Sequence, residues 1–448
     1  MSNNIKNVND FILNELRGYA VYDNERSIPS VVDGLKTSQR KVIFTTFKTI
    51  RPMVDIKTSS LGSSASALTH YKHNENSIID TVIGLAKDYA GSNNYPLLLK
   101  EGQFGTAISN SNSAPRYIFV KRDHKLDEMF DADDREIVDY LTFDGDSIEP
   151  SFYLPKLPLI IINGCRGIGN GYSTSITLRD TKKVATYISQ LLNKEEVDKT
   201  LLYPSYNGFT GTVGLYDTYS YILSGRIERV DSTTTIIKDL PPTPAFQYEK
   251  YKSRTLLPLL LDNKSGITDF IDESTEGNWN ITIKHTREVG KKTDEELIAH
   301  LSMTEKMPEN ITVWGYDNKL KVFENVYDLV DYWLEHRLTW IKTRKAHVLE
   351  KSKIKSEWQE DLLKLIELWI SDSNITTLKK DDLIKRLKTV TDNEKHIAKF
   401  LDQNIMSLTA ERLEKLRKDI AETLKFRKSY EKKTIQKILL EDINFFTK

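Results

Sequence analysis

The feature that most constrains the fold is a change in composition near residue 326, after which the chain becomes rich in Lys, Glu and Leu. From there, apolar side chains recur at intervals of three and four in two runs, at about 326–356 and 409–446. This spacing places them on one face of a helix, so it predicts two long amphipathic helices, the second with Thr409 as its N-cap. We expect them to form a long antiparallel coiled coil, with shorter helices between about 357 and 405 at its tip.

Two regions of different character precede these helices. Up to about residue 150, apolar side chains at helical spacing predict several short helices, at about 11–19, from 38 onwards, at 59–69 and at 76–90. From about 155 to 320, β-branched runs separated by Gly and Asn predict strands at 159–162, 210–215, 233–237 and 279–283. The chain is therefore predicted to be a mixed α/β multidomain protein with three domains, 1–150, 151–325 and 326–448.

Charge is segregated along a chain whose formal net charge is zero. Residues 1–125 hold sixteen Lys and Arg against eleven Asp and Glu, whereas residues 126–156 hold ten Asp and Glu against two Lys and Arg. A neutral average argues against a generic nucleic-acid coat. A basic, helical first region is nevertheless typical of a helix-turn-helix type domain that binds DNA phosphates with one face.

The sequence also indicates the cellular compartment in which the protein resides. Cys165 is the single cysteine and cannot form a disulfide within the chain, and the first residues lack the pattern of a signal peptide. No run of about 18 apolar residues occurs, so no membrane span is predicted. We expect a reducing, cytoplasmic location.

The dipeptide Arg116-Tyr117 is the first candidate for chemistry. It follows a loop rich in Gly, Ser, Asn and Pro and precedes the apolar Ile118-Phe119-Val120, where a loop would meet a strand. A tyrosine nucleophile needs a nearby cation or base, because its unperturbed pKa is about 10. An adjacent guanidinium supplies charge and two donors for phosphate. Any one of the 21 tyrosines is more often a core or surface residue, so this context is what singles out Tyr117.

Six motifs then stand in a particular order along the chain. They are Arg26-Ser27-Ile28-Pro29, Asp33-Gly34-Leu35-Lys36 with Gln39-Arg40-Lys41, Tyr71 to Ser77, Gly102-Gln103-Phe104-Gly105, Ser113 to Phe119, and Ile162 to Gly171. In this order they resemble the type IIA DNA topoisomerases. The likeness covers essentially the whole chain. It is greater to the breakage-rejoining portion of the eukaryotic and viral enzymes than to the corresponding gyrase chain, and length and boundaries are similar to the separate medium subunit of tailed-phage topoisomerases.

The resemblance implies roles for individual residues. Tyr117 would bond to a 5′ phosphate, Arg116 would hold that phosphate in the transition state, and His73 would donate a hydrogen bond near the cleavage site. Ile168 would be a wedge between base pairs. The basic residues that would line the DNA or the scissile phosphate are Arg26, Lys36, Arg40 and Lys41. The domains would be a winged-helix domain with Tyr117, an α/β tower with Ile168, and a coiled coil with a helical dimer gate.

Three residues depart from the family pattern. Thr37 stands where the family usually has proline, Lys72 where the eukaryotic form has a second histidine, and Asn74 where it has glycine. These departures bear on the start of a helix and on the geometry around His73.

Cofactor sites are expected elsewhere. The acidic stretches at 131–134 and 144–146 do not follow a buried strand of the kind that usually carries a Mg²⁺ site, and no Gly-x-x-x-x-Gly-Lys-Ser/Thr loop is present. We therefore predict no metal ligands in this chain and place Mg²⁺ and ATP on a partner subunit. The resemblance implies a homodimer that relaxes and decatenates double-stranded DNA without introducing supercoils, in the host cytoplasm if the source is viral.

Two other function classes compete with this one. The glycine-rich segment Gly164 to Gly171 suggests dinucleotide binding, but no convincing helix follows it and no acidic residue stands at a strand end about 20 residues on. We reject an oxidoreductase for that reason. A non-catalytic DNA-bending protein with the same scaffold remains the alternative, and the presence of Arg116-Tyr117 argues against it.

Overall fold

The computed structural model describes residues 7–218, 220–275, 277–372, 374–403 and 410–447. The chain divides into two compact units, Met1–Arg337 with Leu440–Lys448, and Leu338–Leu439. Thr409, predicted to be an N-cap, lies outside the described residues.

The α-helices and strands are numbered in chain order. The helices are α1 Val8–Asp10, α2 Arg17–Ser27, α3 Thr37–Thr49, α4 Thr58–Leu68, α5 Glu75–Ala86, α6 His124–Met129, α7 Ala132–Ile137, α8 Leu159–Ile162, α9 Thr181–Asn193, α10 Tyr248–Tyr251, α11 Leu257–Leu261, α12 Arg287–Gly290, α13 Asp294–His300, α14 Val326–Ser371, α15 Lys380–Lys388, α16 Glu394–Leu401, α17 Ala410–Glu431 and α18 Ile435–Thr447. The strands are β1 Asp55–Lys57, β2 Leu99–Glu101, β3 Phe119–Lys121, β4 Tyr140–Phe143, β5 Asp146–Pro150, β6 Cys165–Ile168, β7 Ser173–Ile176, β8 Thr212–Asp217, β9 Ser220–Ser224, β10 Arg226–Arg229, β11 Thr234–Asp239, β12 Ile267–Asp272, β13 Ile281–His285, β14 Thr304–Pro308, β15 Ile311–Trp314 and β16 Leu320–Phe323.

The first part of the larger unit combines short helices with a small sheet. Helices α3, α4 and α5 pack together, and β1, β3 and β2 form an antiparallel three-stranded sheet in that order. The predicted helices are all present. Helix α3 begins at Thr37 with Lys36 as N-cap, one residue earlier than a Ser38 start. The Gln39 side chain accepts from the Lys36 backbone N–H at 2.9 Å, which satisfies one backbone donor at this end of the helix.

The rest of this unit is rich in strands. A four-stranded sheet in the order β10-β11-β13-β12 and a three-stranded sheet in the order β14-β9-β8 account for three of the four predicted strands. The fourth prediction is wrong, because Leu159–Ile162 forms the one-turn helix α8 after Pro158. All four residues are buried, at 0–2% exposure. An apolar run without alternation fits a buried helix as well as a buried strand.

In the second unit the long helix is longer than predicted. Helix α14 has 46 residues, so the separate helix expected at Leu362 to Ile366 is its continuation. Its partner α17 runs antiparallel to it: Thr423 donates to Gln359 at 3.0 Å and Arg417 to Glu367 at 2.8 Å. The second predicted run, 409–446, is divided into α17 and α18, and Thr434 between them accepts from the Lys437 backbone N–H at 3.1 Å.

The tip of the second unit has its own core. It is formed by buried residues from α14 to α17, among them Leu365, Ile366, Leu387, Ile397, Phe400 and Leu416. These apolar residues of the tip are therefore buried against one another. Ile370 and Leu378, at 50% and 37% exposure, do remain exposed there.

No helix in the described part of the chain is both long enough and apolar enough to cross a membrane.

A buried ion pair ties distant parts of the larger unit together. Arg179, fully buried, donates to both carboxylate oxygens of Glu309 at 3.1 and 2.8 Å. Thr177 donates to the same carboxylate from its backbone and its hydroxyl, at 2.9 and 2.5 Å. Burial alone would raise the pKa of Glu309, but Arg179 and these hydrogen bonds outweigh burial and lower it.

We expect Arg179→Met to destabilise the protein by about 3–5 kcal/mol at pH 7, because it leaves the Glu309 carboxylate buried without its cation. The difference in the free energy of unfolding between variant and parent should decrease as the pH falls. The reason is that Glu309 has a lowered pKa in the folded parent, so the parent loses stability when this carboxylate is protonated. Urea denaturation at several pH values measures both effects.

The matched control is Arg417→Met, which breaks the solvent-exposed pair of Arg417 and Glu367 and should cost no more than about 1 kcal/mol. Equal losses for the two variants would contradict the assigned importance of the buried pair.

Candidate active site

The turn that carries Arg116 and Tyr117 is fixed to the start of a helix. The carbonyl of Ile118 accepts from both the backbone and the hydroxyl of Thr58, each at 3.0 Å, and the carbonyl of Pro115 accepts from the Ser59 backbone N–H at 3.2 Å. The first N–H groups of a helix have no partner within it, so the turn supplies partners to α4. Strand β3 begins two residues after Tyr117. The tyrosine therefore lies where a loop meets a strand, as predicted.

The Tyr117 side chain itself projects into solvent. It is 68% exposed, and the guanidinium carbon of Arg116 lies 5.0 Å from the centroid of its ring. A cation over the face of a phenol is attracted to it and stabilises negative charge that develops on its oxygen. An exposed phenol with a guanidinium beside it has the two features that a tyrosine nucleophile acting on phosphate requires.

A second group of predicted residues lines one cleft of about 250 Å³. It contains Arg26 from α2, Lys41 from α3 and His73 from the loop before α5, and its remaining walls include Tyr22, Tyr71, Phe143 and Glu149. Arg116 and Tyr117 are not among its described lining residues. The structure thus brings three of the predicted site residues together and places the candidate nucleophile on another turn.

His73 is held in this cleft by aromatic neighbours. The hydroxyl of Tyr22 lies 2.5 Å from His73 Nε2, and the Tyr71 ring meets the imidazole edge to face at 5.4 Å. Burial, followed by the charge of Arg26, lowers the pKa of His73. Since an unperturbed histidine has a pKa near 6.5, His73 is neutral at pH 7.

The other basic candidates have partners within the protein. Lys36 Nζ donates to the carbonyl of Arg166 at 2.8 Å. Arg40 pairs with the fully buried Asp33 at 2.6 Å, and Lys41 pairs with Glu149 at 2.6 Å. The side chains of Arg40 and Lys41 are only 12% and 16% exposed, so both have a structural role besides any contact with DNA.

Ile168 lies at the end of a β-hairpin and is 86% exposed. Strands β6 and β7 pair with Ile168 opposite Ser173, and the hairpin lies closely on the end of α2. A Cβ at Gly167 would fall 2.0 Å from the carbonyl oxygen of Ser27, and one at Gly169 would fall 2.1 Å from Asn24 Oδ1. The glycines therefore permit a close approach that fixes the hairpin and presents the isoleucine.

The same hairpin settles the meaning of the glycine-rich segment. A dinucleotide-binding loop joins a strand to a helix whose N-terminus meets the pyrophosphate. Here the segment from Gly164 to Gly171 is preceded by helix α8 and joins two antiparallel strands. This topology differs from that of a dinucleotide-binding loop.

The three departures from the family pattern fit the local structure. Asn74 has φ −56° and caps α5 by accepting from the Asn76 backbone N–H at 2.9 Å, so this position needs no glycine. Thr37 is the first residue of α3. Lys72 Nζ lies 4.8 Å from the Phe143 ring centroid.

Three carboxylates of the acidic segment take part in separate ion pairs. Asp127 pairs with Arg122, Asp134 with the buried Arg337, and Glu149 with Lys41. Mg²⁺ requires oxygen ligands that converge on the ion, whereas these carboxylates serve separate ion pairs.

Sequence reasoning missed two residues that shape the site, Tyr22 and Thr58. Tyr22 precedes Arg26 by four positions in α2, and this spacing places both on one face of the helix. The signal was present in the sequence. Thr58 shows no comparable signal, because its role depends on a turn 60 residues further along the chain.

Comparisons with known proteins agree with this geometry. A family model that describes the A subunit of DNA gyrase/topoisomerase IV matches residues 26–444. DNA topoisomerase 2-alpha of Mus musculus is 35% identical over 364 residues, which are 78% of this chain and 23% of the mouse protein. The mitochondrial DNA topoisomerase 2 of Dictyostelium discoideum is 31% identical over 387 residues, 85% of this chain and 29% of that protein. The chain thus spans about a quarter of the length of these curated relatives.

A solved structure shares the fold. The topoisomerase II DNA-binding, cleavage and re-ligation domain of Plasmodium falciparum superposes with a TM-score of 0.87 and 29% sequence identity, covering 98% of this chain and 63% of that chain. The mixed α/β architecture is therefore that of this domain, and the resemblance read from the motifs is confirmed. The chain belongs to the DNA gyrase/topoisomerase IV family and corresponds to the breakage-rejoining region of type IIA DNA topoisomerases.

Proposed function

We propose that the chain is the DNA-cleaving and religating subunit of an ATP-dependent type IIA DNA topoisomerase, which passes one duplex through a transient double-strand break in another. The observation that carries the proposal is the exposed Tyr117, with the Arg116 guanidinium over its ring, on a turn anchored to α4. Membership of the family and the activity after which its relatives are named support the same function.

The chemistry is transesterification at a phosphodiester. The Tyr117 oxygen attacks phosphorus as the phenol gives up its proton, the bond to the 3′ oxygen breaks, and that oxygen takes a proton as it leaves. One phosphodiester bond replaces another, so attack by the 3′ hydroxyl on the 5′-phosphotyrosine reverses the step and religates the strand. Arg116 balances charge on the non-bridging oxygens in the transition state. His73 donates a hydrogen bond near the scissile phosphate, and Arg26 lies beside it.

Residues 1–150 form the DNA-binding surface as a winged-helix domain in this proposal. Helices α3 to α5 and the three-stranded sheet β1-β3-β2 have the composition of such a domain, and its basic residues face phosphate. Lys36, Arg40 and Lys41 line the DNA there. Because each already has an intramolecular acceptor, contact with DNA would share these cations with the protein.

Residues 151–325 form the tower, and Ile168 is its wedge. An isoleucine that is 86% exposed leaves apolar surface in water without a packing partner, whereas insertion between base pairs would bury it. Partial unstacking bends the duplex and lets it follow more of the protein surface.

Residues 326–448 form the antiparallel coiled coil and the dimer gate. The antiparallel contacts of α14 with α17 and the exposed Ile370 and Leu378 at the tip support a two-fold interface there. Each protomer would then cut one strand of the duplex.

A partner subunit supplies Mg²⁺ and ATP. The carboxylates at Asp127, Asp134 and Glu149 are used in ion pairs, and the matched relatives are roughly three times as long as this chain, which leaves room in them for further domains. The assembled enzyme relaxes and decatenates DNA in the cytoplasm, which is the host's if the source is viral. A non-catalytic DNA-bending protein would need Ile168 but gains nothing from an exposed Arg116-Tyr117 turn.

We expect Tyr117→Phe to abolish the covalent adduct with DNA while DNA binding persists, because it removes the nucleophilic oxygen and keeps the ring. The adduct of the assembled enzyme is trapped with denaturant and measured by gel mobility. The control is Tyr216→Phe, since Tyr216 is also exposed, at 58%, with Lys306 Nζ 4.1 Å from its ring centroid. An adduct that persists in Tyr117→Phe and disappears in Tyr216→Phe would identify Tyr216, and not Tyr117, as the nucleophile.

We expect Ile168→Ala to reduce the DNA bend and to leave the salt dependence of binding unchanged, because phosphate contacts set that dependence. Fluorescence transfer between the ends of a duplex reports the angle. Val322→Ala, at a position that is 65% exposed in β16, is the control for loss of an exposed apolar side chain. Equal bending by the parent and Ile168→Ala would make Ile168 an ordinary loop residue.

We expect the purified chain to dimerise and to bind DNA, yet to leave supercoiled plasmid uncut in the presence of Mg²⁺ and ATP. Sedimentation gives the oligomeric state and gel electrophoresis gives the plasmid products. Addition of the ATP- and Mg²⁺-binding subunit should restore strand passage. Efficient double-strand cleavage without a partner would mean that the segment from Asp127 to Glu149 does bind the metal.

A further inference from the structure

The geometry points to Tyr22 as a positioning residue: its hydroxyl donates to Nε2 of His73 and thereby fixes the imidazole tautomer with the proton on Nδ1, the nitrogen that meets a DNA phosphate. This inference rests on the proposed function, because it assigns His73 a phosphate oxygen as its acceptor. It goes beyond that function because Tyr22 belongs to none of the motifs that identify the family.

The first support is the contact itself. The Tyr22 oxygen is 2.5 Å from His73 Nε2, and the two rings lie nearly parallel, at 27°, with centroids 5.9 Å apart. The residues belong to different elements, α2 and the loop before α5, which are 51 positions apart in the chain. A hydrogen bond between them therefore orients the imidazole relative to the helix that also carries Arg26.

The second step assigns the donor. A phenol O–H is a far stronger acid than the N–H of a neutral imidazole, so the favourable hydrogen bond runs from the Tyr22 hydroxyl to a lone pair on Nε2. His73 is neutral at pH 7, because burial and the charge of Arg26 lower its pKa. A neutral imidazole with a lone pair on Nε2 carries its proton on Nδ1. That proton is the donor that a phosphate oxygen requires.

The third step concerns charge around the ring. The titratable and charged groups that line the cleft with His73 are Tyr22, Glu25 and Arg26 from α2, Lys41 from α3, His70, Tyr71 and Lys72 from its own loop, and Glu149 from β5. Glu149 is paired with Lys41, and Arg26 disfavours an imidazolium. The hydrogen-bond donor of this site is therefore the neutral imidazole of His73. A hydrogen bond from Tyr22 to Nε2 keeps the proton of this neutral form on Nδ1.

Histidine-selective ¹⁵N and ¹³C labelling of the full chain tests the tautomer directly. The His73 resonance is assigned by its absence in His73→Gln. We expect the Nδ1–H tautomer in the parent, and in Tyr22→Phe a growth of the Nε2–H tautomer with a His73 pKa higher by about 0.4–1 unit, since the neutral form loses a hydrogen bond. Tyr19→Phe, which removes an exposed hydroxyl from the same helix, should match the parent. Unchanged tautomer and pKa in Tyr22→Phe would overturn the inference.

The pH dependence of DNA cleavage by the assembled enzyme tests the consequence. Above the pKa of His73, Tyr22→Phe should cleave about two- to tenfold more slowly than the parent, by the value of one hydrogen bond. Below that pKa the two rates should converge, because an imidazolium donates from both nitrogens. A decrease in cleavage rate that is the same at every pH, or no decrease, would overturn the role assigned to Tyr22.

A duplex that cannot be cleaved separates this inference from the proposed function. On binding it, the parent should show a shift of the His73 Nδ1 resonance that Tyr22→Phe diminishes, whether or not Tyr117 forms an adduct. A Tyr117→Phe enzyme that still forms its adduct would refute the assigned nucleophile and leave the tautomer result standing. A tautomer that is independent of Tyr22 in an enzyme whose adduct requires Tyr117 would refute only the inference.

Discussion

The buried carboxylate of Asp33 is the interaction on which most of the site depends. One oxygen accepts from Arg40 at 2.6 Å and from the Tyr153 backbone N–H at 3.1 Å, while the other accepts from the Leu35 backbone N–H at 3.0 Å. A fully buried charge is tolerated only when it is paired and hydrogen-bonded in this way. The carboxylate therefore joins the turn before α3, the helix itself and the chain that leads to α8.

The same turn is held from other directions. The backbones of Pro29 and Val31 pair with Trp314 at the end of β15, and the indole of Trp333 in α14 donates to the carbonyl of Val32 at 3.2 Å. Because α2 ends just before this turn and α3 begins just after it, the positions of Arg26 and Lys41 follow from one buried network. Arg26 and Lys41 line a cleft at the surface, whereas the Asp33 carboxylate that helps to fix their positions is buried.

Much of this could be predicted from the sequence, and the failures have physical causes. Helices with one apolar face and strands with β-branched runs were found, since their periods are written in local sequence. The prediction of a strand at Leu159 to Ile162 failed because a fully buried run has no period. The length of α14 was underestimated although no Gly or Pro interrupts the sequence from 326 to 371. The motif residues were identified by resemblance. Their partners, Asp33 for Arg40 and Tyr22 for His73, are set by contacts in the folded chain. The local sequence records only that Tyr22 and Arg26 share one face of α2.

The ion pairs also bear on how a chain of zero net charge can bind DNA. Several cations of the basic first region are already engaged: Lys100 with Asp88, Lys121 with Glu101 and Arg122 with Asp127. The positive charge available to a duplex is therefore smaller than the number of Lys and Arg in residues 1–125 suggests, and each phosphate contact contributes a salt-dependent increment. Other interactions can add affinity that does not depend on these cations. In the proposed function, insertion of the exposed Ile168 would supply apolar burial and a second protomer would supply avidity, neither of which depends on net charge.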